Sequence, residues 1–178
     1  MNLLIQSITS FRIICGPICF FLIVYMDYFG YALIMFSLAA ISDFFDGYFA
    51  RKFHMTSAFG EVFDPIADKI LITFLLLAIG LSLNSKLLGF LACCILAREF
   101  WVGALRDLNA RNNITEATSV TFLAKIKTTS QLSTISLYLF GLYLNNALII
   151  FISDFFLFGT FLITTYTGIQ YTKSTFQT

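Results

Sequence analysis

Four aspartates carry the chemistry that this sequence could perform. Between residues 43 and 68 it reads DFFDGYFARKFHMTSAFGEVFDPIAD, with Asp43, Asp46, Asp64 and Asp68 at or near the ends of two apolar runs that otherwise avoid charge. Asp43 and Asp46 are three residues apart and Asp64 and Asp68 four, so each pair lies on one helical face, and a connection that doubles back lets the two faces meet. Carboxylates gathered at membrane depth repel one another and stay partly protonated unless cations hold them, because desolvation and like charge both raise a carboxylate's pKa. All-oxygen ligation suits Mg²⁺ or Mn²⁺ rather than zinc, and two such ions about 3.5 to 4 Å apart form the clamp used for phosphoryl displacement.

The neighbouring residues fit that chemistry. Gly47 and Ala50 keep the helix face that carries Asp43 and Asp46 narrow, so a bulky ligand can approach the backbone, and Arg51 supplies a fork for a phosphate. Gly60 follows a turn-forming segment and Pro65 suits the first turn of a helix, which predicts that Asp64 starts the second of the two helices. A plainer reading makes the aspartates interfacial caps, or partners of Arg51, Lys52 and Lys69, the usual fate of one or two charges at helix ends. Four of them at these spacings, beside Gly47, Ala50 and Arg51, point instead to function.

The elements that must position these residues are membrane helices. Of the 178 residues 58% are hydrophobic and 12% charged, and 22 are phenylalanine, more than a soluble core of this size buries. Apolar windows run over residues 8–28, 31–50, 62–83, 87–105, 120–144 and 147–171, each near the roughly 20 residues that a hydrocarbon core of about 30 Å requires. The fold class is therefore all-α, a polytopic bundle of six transmembrane helices forming one membrane-embedded domain over residues 1–178. Arg51, Lys52, Arg106, Arg111, Lys125, Lys127 and Lys173 share one face of the bundle, which places both termini and the aspartates on the cytoplasmic side. The first apolar run lacks the basic start and cleavage site of a secretory signal and reads as a permanent helix. A net charge of +1 without a basic strip argues against nucleic-acid binding. Cys15, Cys19, Cys93 and Cys94 sit in apolar runs and read as packing residues.

Cations on the aspartate side form a second candidate site. Arg98, Arg106, Lys125 and Lys127 lie near the same membrane face and suit a phosphate, although positive-inside topology and contact with anionic headgroups explain any one of them equally well. Arg98 stands out: it lies inside an apolar run, where an unpaired charge costs about 2.5 to 3.5 kcal/mol, so it needs Glu99 or a ligand as a partner.

Written out, the acidic segment is D-x2-D-G-x2-A-R-x8-G-x3-D-x3-D, which resembles the signature of the CDP-alcohol phosphatidyltransferases at every fixed position. FGEVFDPIADKILI, AREFWVGALRDLNA and FLAKIKTTSQL further resemble the phosphatidylglycerophosphate synthase branch, so the likeness covers most of residues 9–135. An Asn-x-Pro-Thr-like start, frequent in the family, is replaced here by Leu3, Leu4, Ile5 and Gln6, while Thr9 and Arg12 remain; no site residue is assigned in that stretch. The resemblance implies CDP-diacylglycerol and glycerol 3-phosphate as substrates, phosphatidylglycerol phosphate and CMP as products, and an integral protein of the bacterial inner membrane. It implies metal ligation by Asp43, Asp46, Asp64 and Asp68, a general-base role for Asp68, and a CDP cradle of Gly47, Ala50, Arg51 and Ser57. It leaves room for the homodimer that family members often form.

Three other readings compete with this one. The same chemistry with a cardiolipin, inositol phosphate or serine-type acceptor preserves the carboxylate signature. A divalent-cation carrier would use the four aspartates but leaves Gly47, Ala50 and Arg51 unexplained. An inactive scaffold has no reason to keep four carboxylates in lipid.

Overall fold

A computed structural model describes residues 2–53, 58–112 and 122–176; the side chains of 2–9, 43–53, 58–62, 64–65 and 122–125 are outside the description. Six helices make up the described chain, with no strand among the described residues: α1 Asn2–Val24, α2 Phe29–Phe53, α3 Ala58–Ser82, α4 Lys86–Arg111, α5 Phe122–Tyr143 and α6 Ala147–Phe176. Contacts join α1 to α2 and α3, α2 to α5, α3 to α4 and α5, and α6 to α4 and α5. The chain is thus three antiparallel hairpins, α1–α2, α3–α4 and α5–α6, laid side by side.

The tight turns of the hairpins are written in polar residues. Asp27, Asn84 and Asn145 have φ of 55°, 47° and 48°, the left-handed conformation that Asp and Asn adopt more readily than other side-chain-bearing residues. At two of the turns the backbone closes a Schellman motif: Asn84 and Ser85 donate to Leu81 and Gly80 O (both 3.1 Å), and Asn145 and Asn146 to Leu142 and Gly141 O (3.1 and 2.9 Å). The next residue then opens the following helix. Ser85 Oγ accepts from Leu88 N at 3.3 Å, and Asn146 Oδ1 accepts from Leu148 N at 3.0 Å and Ile149 N at 3.3 Å. At these two turns one pair of residues both closes a helix and caps the next, so the α3–α4 and α5–α6 hairpins need no longer loop.

Side-chain chemistry changes along the bundle axis. The apolar core fills the half nearer these turns, with Cys15, Cys19, Ile23, Phe36, Leu75, Ile79, Leu88, Ile95, Ile135 and Leu139 buried together. Gly16 lets α1 lie close to α3; a Cβ there would meet Phe74 at 3.3 Å and the Leu71 backbone at 3.4 Å. In the other half the buried side chains include Arg12, Asn109, Thr164, Thr167 and Thr175. Outward, the bundle shows Phe21, Leu38, Leu77, Phe90, Phe140 and Phe155 to its surroundings. Large apolar side chains on the outside as well as in the core, with a few polar groups buried at one end, suit a membrane environment. Among the described residues α4 and α6 are long and apolar enough to cross a bilayer, and 10–24 and 29–42 form shorter apolar stretches.

One boundary differs from the sequence expectation. Helix α3 opens at Ala58, six residues ahead of Asp64, so Asp64 does not start it. Pro65 stands in its third turn, where the carbonyl four residues earlier loses a backbone donor. The early start draws Asp64 and Asp68 into a continuous helix, at the backbone spacing that the sequence implies.

The turns give a direct test. Replacing Asn146 with Ala removes the acceptor for two amides and should cost about 1 kcal/mol, read as a lowered thermal midpoint in detergent. Asn145→Gly should be tolerated, whereas Asn145→Val, which forces a β-branched residue to positive φ, should lower the midpoint by more.

Candidate active site

The best-defined interaction of the acidic segment is an ion pair between α1 and α3. Arg12 Nη1 donates to Asp68 Oδ1 at 2.6 Å; the arginine side chain is 1% exposed and the aspartate 46%. A guanidinium sealed between helices requires an anion, and a carboxylate on the facing helix supplies it. Asp68 is thereby fixed in orientation while about half of its surface stays accessible. The sequence reading left Arg12 unassigned, although the argument that singled out Arg98, a lone cation in an apolar run, applies to it equally.

The other aspartates follow from helix register. Cys15 and Cys19 reach the carbonyls of Met35 and Ala32 on α2 (3.7 and 3.9 Å), and Phe20 meets Phe74 of α3 edge-on at 5.9 Å. Asp43 and Asp46 fall within the last eleven residues of α2, and Asp64 and Asp68 within the first eleven of α3. Four residues join α2 to α3, so Phe53 and Ala58 lie within about 18 Å of each other. Gly47, Ala50 and Arg51 occupy the last two turns of α2. Ser57 and His54 lie outside the described residues, as do the side chains of Asp43, Asp46, Arg51 and Asp64.

Among the described residues no group of three or more His, Cys, Asp or Glu side chains comes together. The donor set at this end of the bundle nevertheless suits a hard cation. The four aspartates of the motif offer oxygen donors, and the one whose side chain is described, Asp68, is held by a buried arginine and is 46% exposed. When bound, a pair of divalent ions there would neutralise a diphosphate and stabilise the charge that grows on a leaving phosphate.

The cation cluster lies at about the same depth. Lys69, next to Asp68, reaches α4 at Gly103, whose Cβ position would fall 2.8 Å from Lys69 Nζ. One turn from Gly103, Glu99 Oε1 accepts from three side chains: Lys127 Nζ at 2.5 Å, Arg98 Nη1 at 3.2 Å and Gln131 Nε2 at 3.5 Å. Arg98 Nη2 also donates to Thr167 Oγ1 on α6 at 2.7 Å. Arg98, Glu99 and Lys127 are 13, 14 and 12% exposed. Two of the four expected acceptor-site cations are therefore brought together. Arg106 is exposed and lies over the Tyr171 ring, 5.7 Å from its centroid. Lys125 sits on the first turn of α5, its side chain outside the description. Glu99, Gln131 and Thr167 belong to the cluster although sequence reasoning named only Glu99, and only as a partner for Arg98. Their signal was faint, since Gln and Thr inside apolar runs are common.

Known proteins point the same way. The family model described as CDP-alcohol phosphatidyltransferase matches residues 3–166. A Salmonella typhimurium protein named CDP-diacylglycerol–glycerol-3-phosphate 3-phosphatidyltransferase is 33% identical over 129 residues, 70% of either chain. Proteins of the same name from Escherichia coli and Rickettsia felis are 34% identical over 128 residues (70% of either chain) and 41% identical over 109 (61% of this chain, 58% of the relative). With its matched signature, its all-helical membrane fold and its carboxylate-bearing helices, the chain belongs to the CDP-alcohol phosphatidyltransferase family.

Proposed function

We propose that this protein transfers the phosphatidyl group of CDP-diacylglycerol to glycerol 3-phosphate, forming phosphatidylglycerol phosphate and CMP. The observation that carries the reading is the run from Asp43 to Asp68, complete at every signature position, in a chain whose similar relatives are named for this reaction.

In this reading Asp43, Asp46, Asp64 and Asp68 would hold two divalent ions, Mg²⁺ or Mn²⁺, which would neutralise the diphosphate. Gly47, Ala50, Arg51 and Ser57 cradle the CDP group: the small residues let it approach the backbone of α2, and Arg51 pairs with a phosphate oxygen. Asp68, oriented by Arg12, takes the proton of the acceptor hydroxyl. The freed oxygen attacks the β-phosphorus, which carries the diacylglycerol; the bond to the bridging oxygen breaks, and CMP leaves with that oxygen. Arg98, Arg106, Lys125 and Lys127 bind the phosphate of glycerol 3-phosphate and so hold its hydroxyl near Asp68. The membrane supplies one substrate laterally and the cytoplasm the other, which suits a site at the polar end of the bundle.

The same reading makes all six helices crossings of a bacterial inner membrane, with the termini and the site on the cytoplasmic side, and allows a homodimer. Topology is testable by labelling. Cysteines placed at Asn145 and Lys173 in a chain stripped of Cys15, Cys19, Cys93 and Cys94 should react with a membrane-impermeant maleimide from opposite sides of sealed vesicles; labelling from one side contradicts the six-crossing arrangement.

Activity decides between the acceptors. Purified protein should release CMP from CDP-diacylglycerol only with a divalent ion and glycerol 3-phosphate, and not with serine, inositol phosphate or phosphatidylglycerol. Asp68→Asn should lose at least about 100-fold in kcat, the usual scale of a missing general base, before any loss of ligation is added. Arg12→Met, which leaves Asp68 unoriented, should lower kcat by about 10-fold or more. Release with a different acceptor would change the named substrate, and a folded protein inert with every acceptor would overturn the enzyme reading.

A further inference from the structure

We infer that Glu99 is a positioning residue that sets Arg98 and Lys127 as a preformed receptor for a phosphate monoester dianion, and so determines which acceptor the enzyme takes. The inference rests on the proposed transfer to glycerol 3-phosphate and adds an acidic residue to a site otherwise read as purely cationic.

Charge balance is the first ground. One carboxylate faces two buried cations, so the cluster holds more positive charge than its own anion neutralises. Surplus positive charge in a low-dielectric bundle favours a further anion, and a dianion more than a monoanion. Geometry is the second ground. Glu99 uses a single oxygen, Oε1, to gather Lys127 from α5 together with Arg98 from its own helix. Without that oxygen the two cations would repel each other and swing apart. Unmet donor capacity is the third. Arg98 Nε is buried with no hydrogen-bond partner among the described residues, and lies against Gly168 of α6, where a Cβ would come within 3.0 Å of it. A buried guanidinium with a donor to spare suits a phosphate, which offers several acceptor oxygens at once.

A carboxylate beside a phosphate site costs some affinity through direct repulsion, so its benefit must come from orientation. That makes the sign of the effect diagnostic. Glu99→Gln, which keeps the shape but weakens the hold on both cations, should raise KM for glycerol 3-phosphate at least 10-fold. KM for CDP-diacylglycerol should stay within 2-fold. Glycerol, the acceptor without the phosphate, should gain relative to glycerol 3-phosphate. Glu99→Asp should recover part of the loss. Gly168→Ala, which displaces Arg98 from the other side without touching Glu99, should raise the same KM and guards against a variant that fails to fold. If wild type uses glycerol 3-phosphate but Glu99→Gln binds it as well or better, the positioning role is overturned and Glu99 only neutralises its neighbours. An equal rise in both KM values with a lowered thermal midpoint would equally overturn it in favour of a structural role. If wild type does not use glycerol 3-phosphate at all, the function on which the inference rests is what has failed.

Discussion

A charge buried in an apolar bundle must meet its counter-charge there, and the polar half of this protein is organised around that requirement. Arg12 is nearly inaccessible on a helix with no other charged residue, and Asp68 of α3 answers it at 2.6 Å. Removing Asp68 would leave the buried guanidinium without its counter-charge, so the position of α1 against α3 and the orientation of the Asp68 carboxylate are set together. The cluster at Glu99 repeats the logic one helix further on: Arg98 and Lys127 are tolerable at this depth because an acid gathers them. Both sites are therefore stable only as assemblies across helices, which ties their geometry to the packing of the whole bundle.

That packing is supplied by the opposite half. Tight turns, two of them capped, and a core of Cys, Ala, Leu, Ile and Phe hold the three hairpins together at one end. At the other, only four residues separate the end of α2 from the start of α3, which keeps the two aspartate-bearing helix ends near each other. A firm apolar half that carries a polar, ligand-accessible half is a division of labour suited to an enzyme drawing one substrate from lipid and one from water.

Much of this was legible in the sequence. Six apolar windows became six helices, and the membrane character follows from residues such as Phe90 and Phe155 that face outward. Arg98 needed a partner because charge in an apolar run is costly, and it has Glu99 at 3.2 Å and Thr167 at 2.7 Å. The start of α3 was not legible: Gly60 and Pro65 read as a turn and a first helical residue, yet the helix already begins at Ala58. Nor was the pairing of Arg12 with Asp68, which lie 56 residues apart, because which helices are neighbours depends on tertiary contact rather than on any local pattern. Gln131 and Thr167 were invisible for the same reason; they matter through the side chain they face.

The central claim is that the aspartates of α2 and α3 form one two-ion site. Electron paramagnetic resonance of Mn²⁺ bound to the purified protein tests it without reference to turnover. Two ions per chain with the exchange-coupled spectrum of a close pair, reduced to weak or single-ion binding by Asp64→Asn and unaffected by Asn146→Ala, is the result predicted. Uncoupled Mn²⁺ bound equally by wild type and Asp64→Asn would contradict it, and would return the four aspartates to the role of helix caps and surface ion pairs.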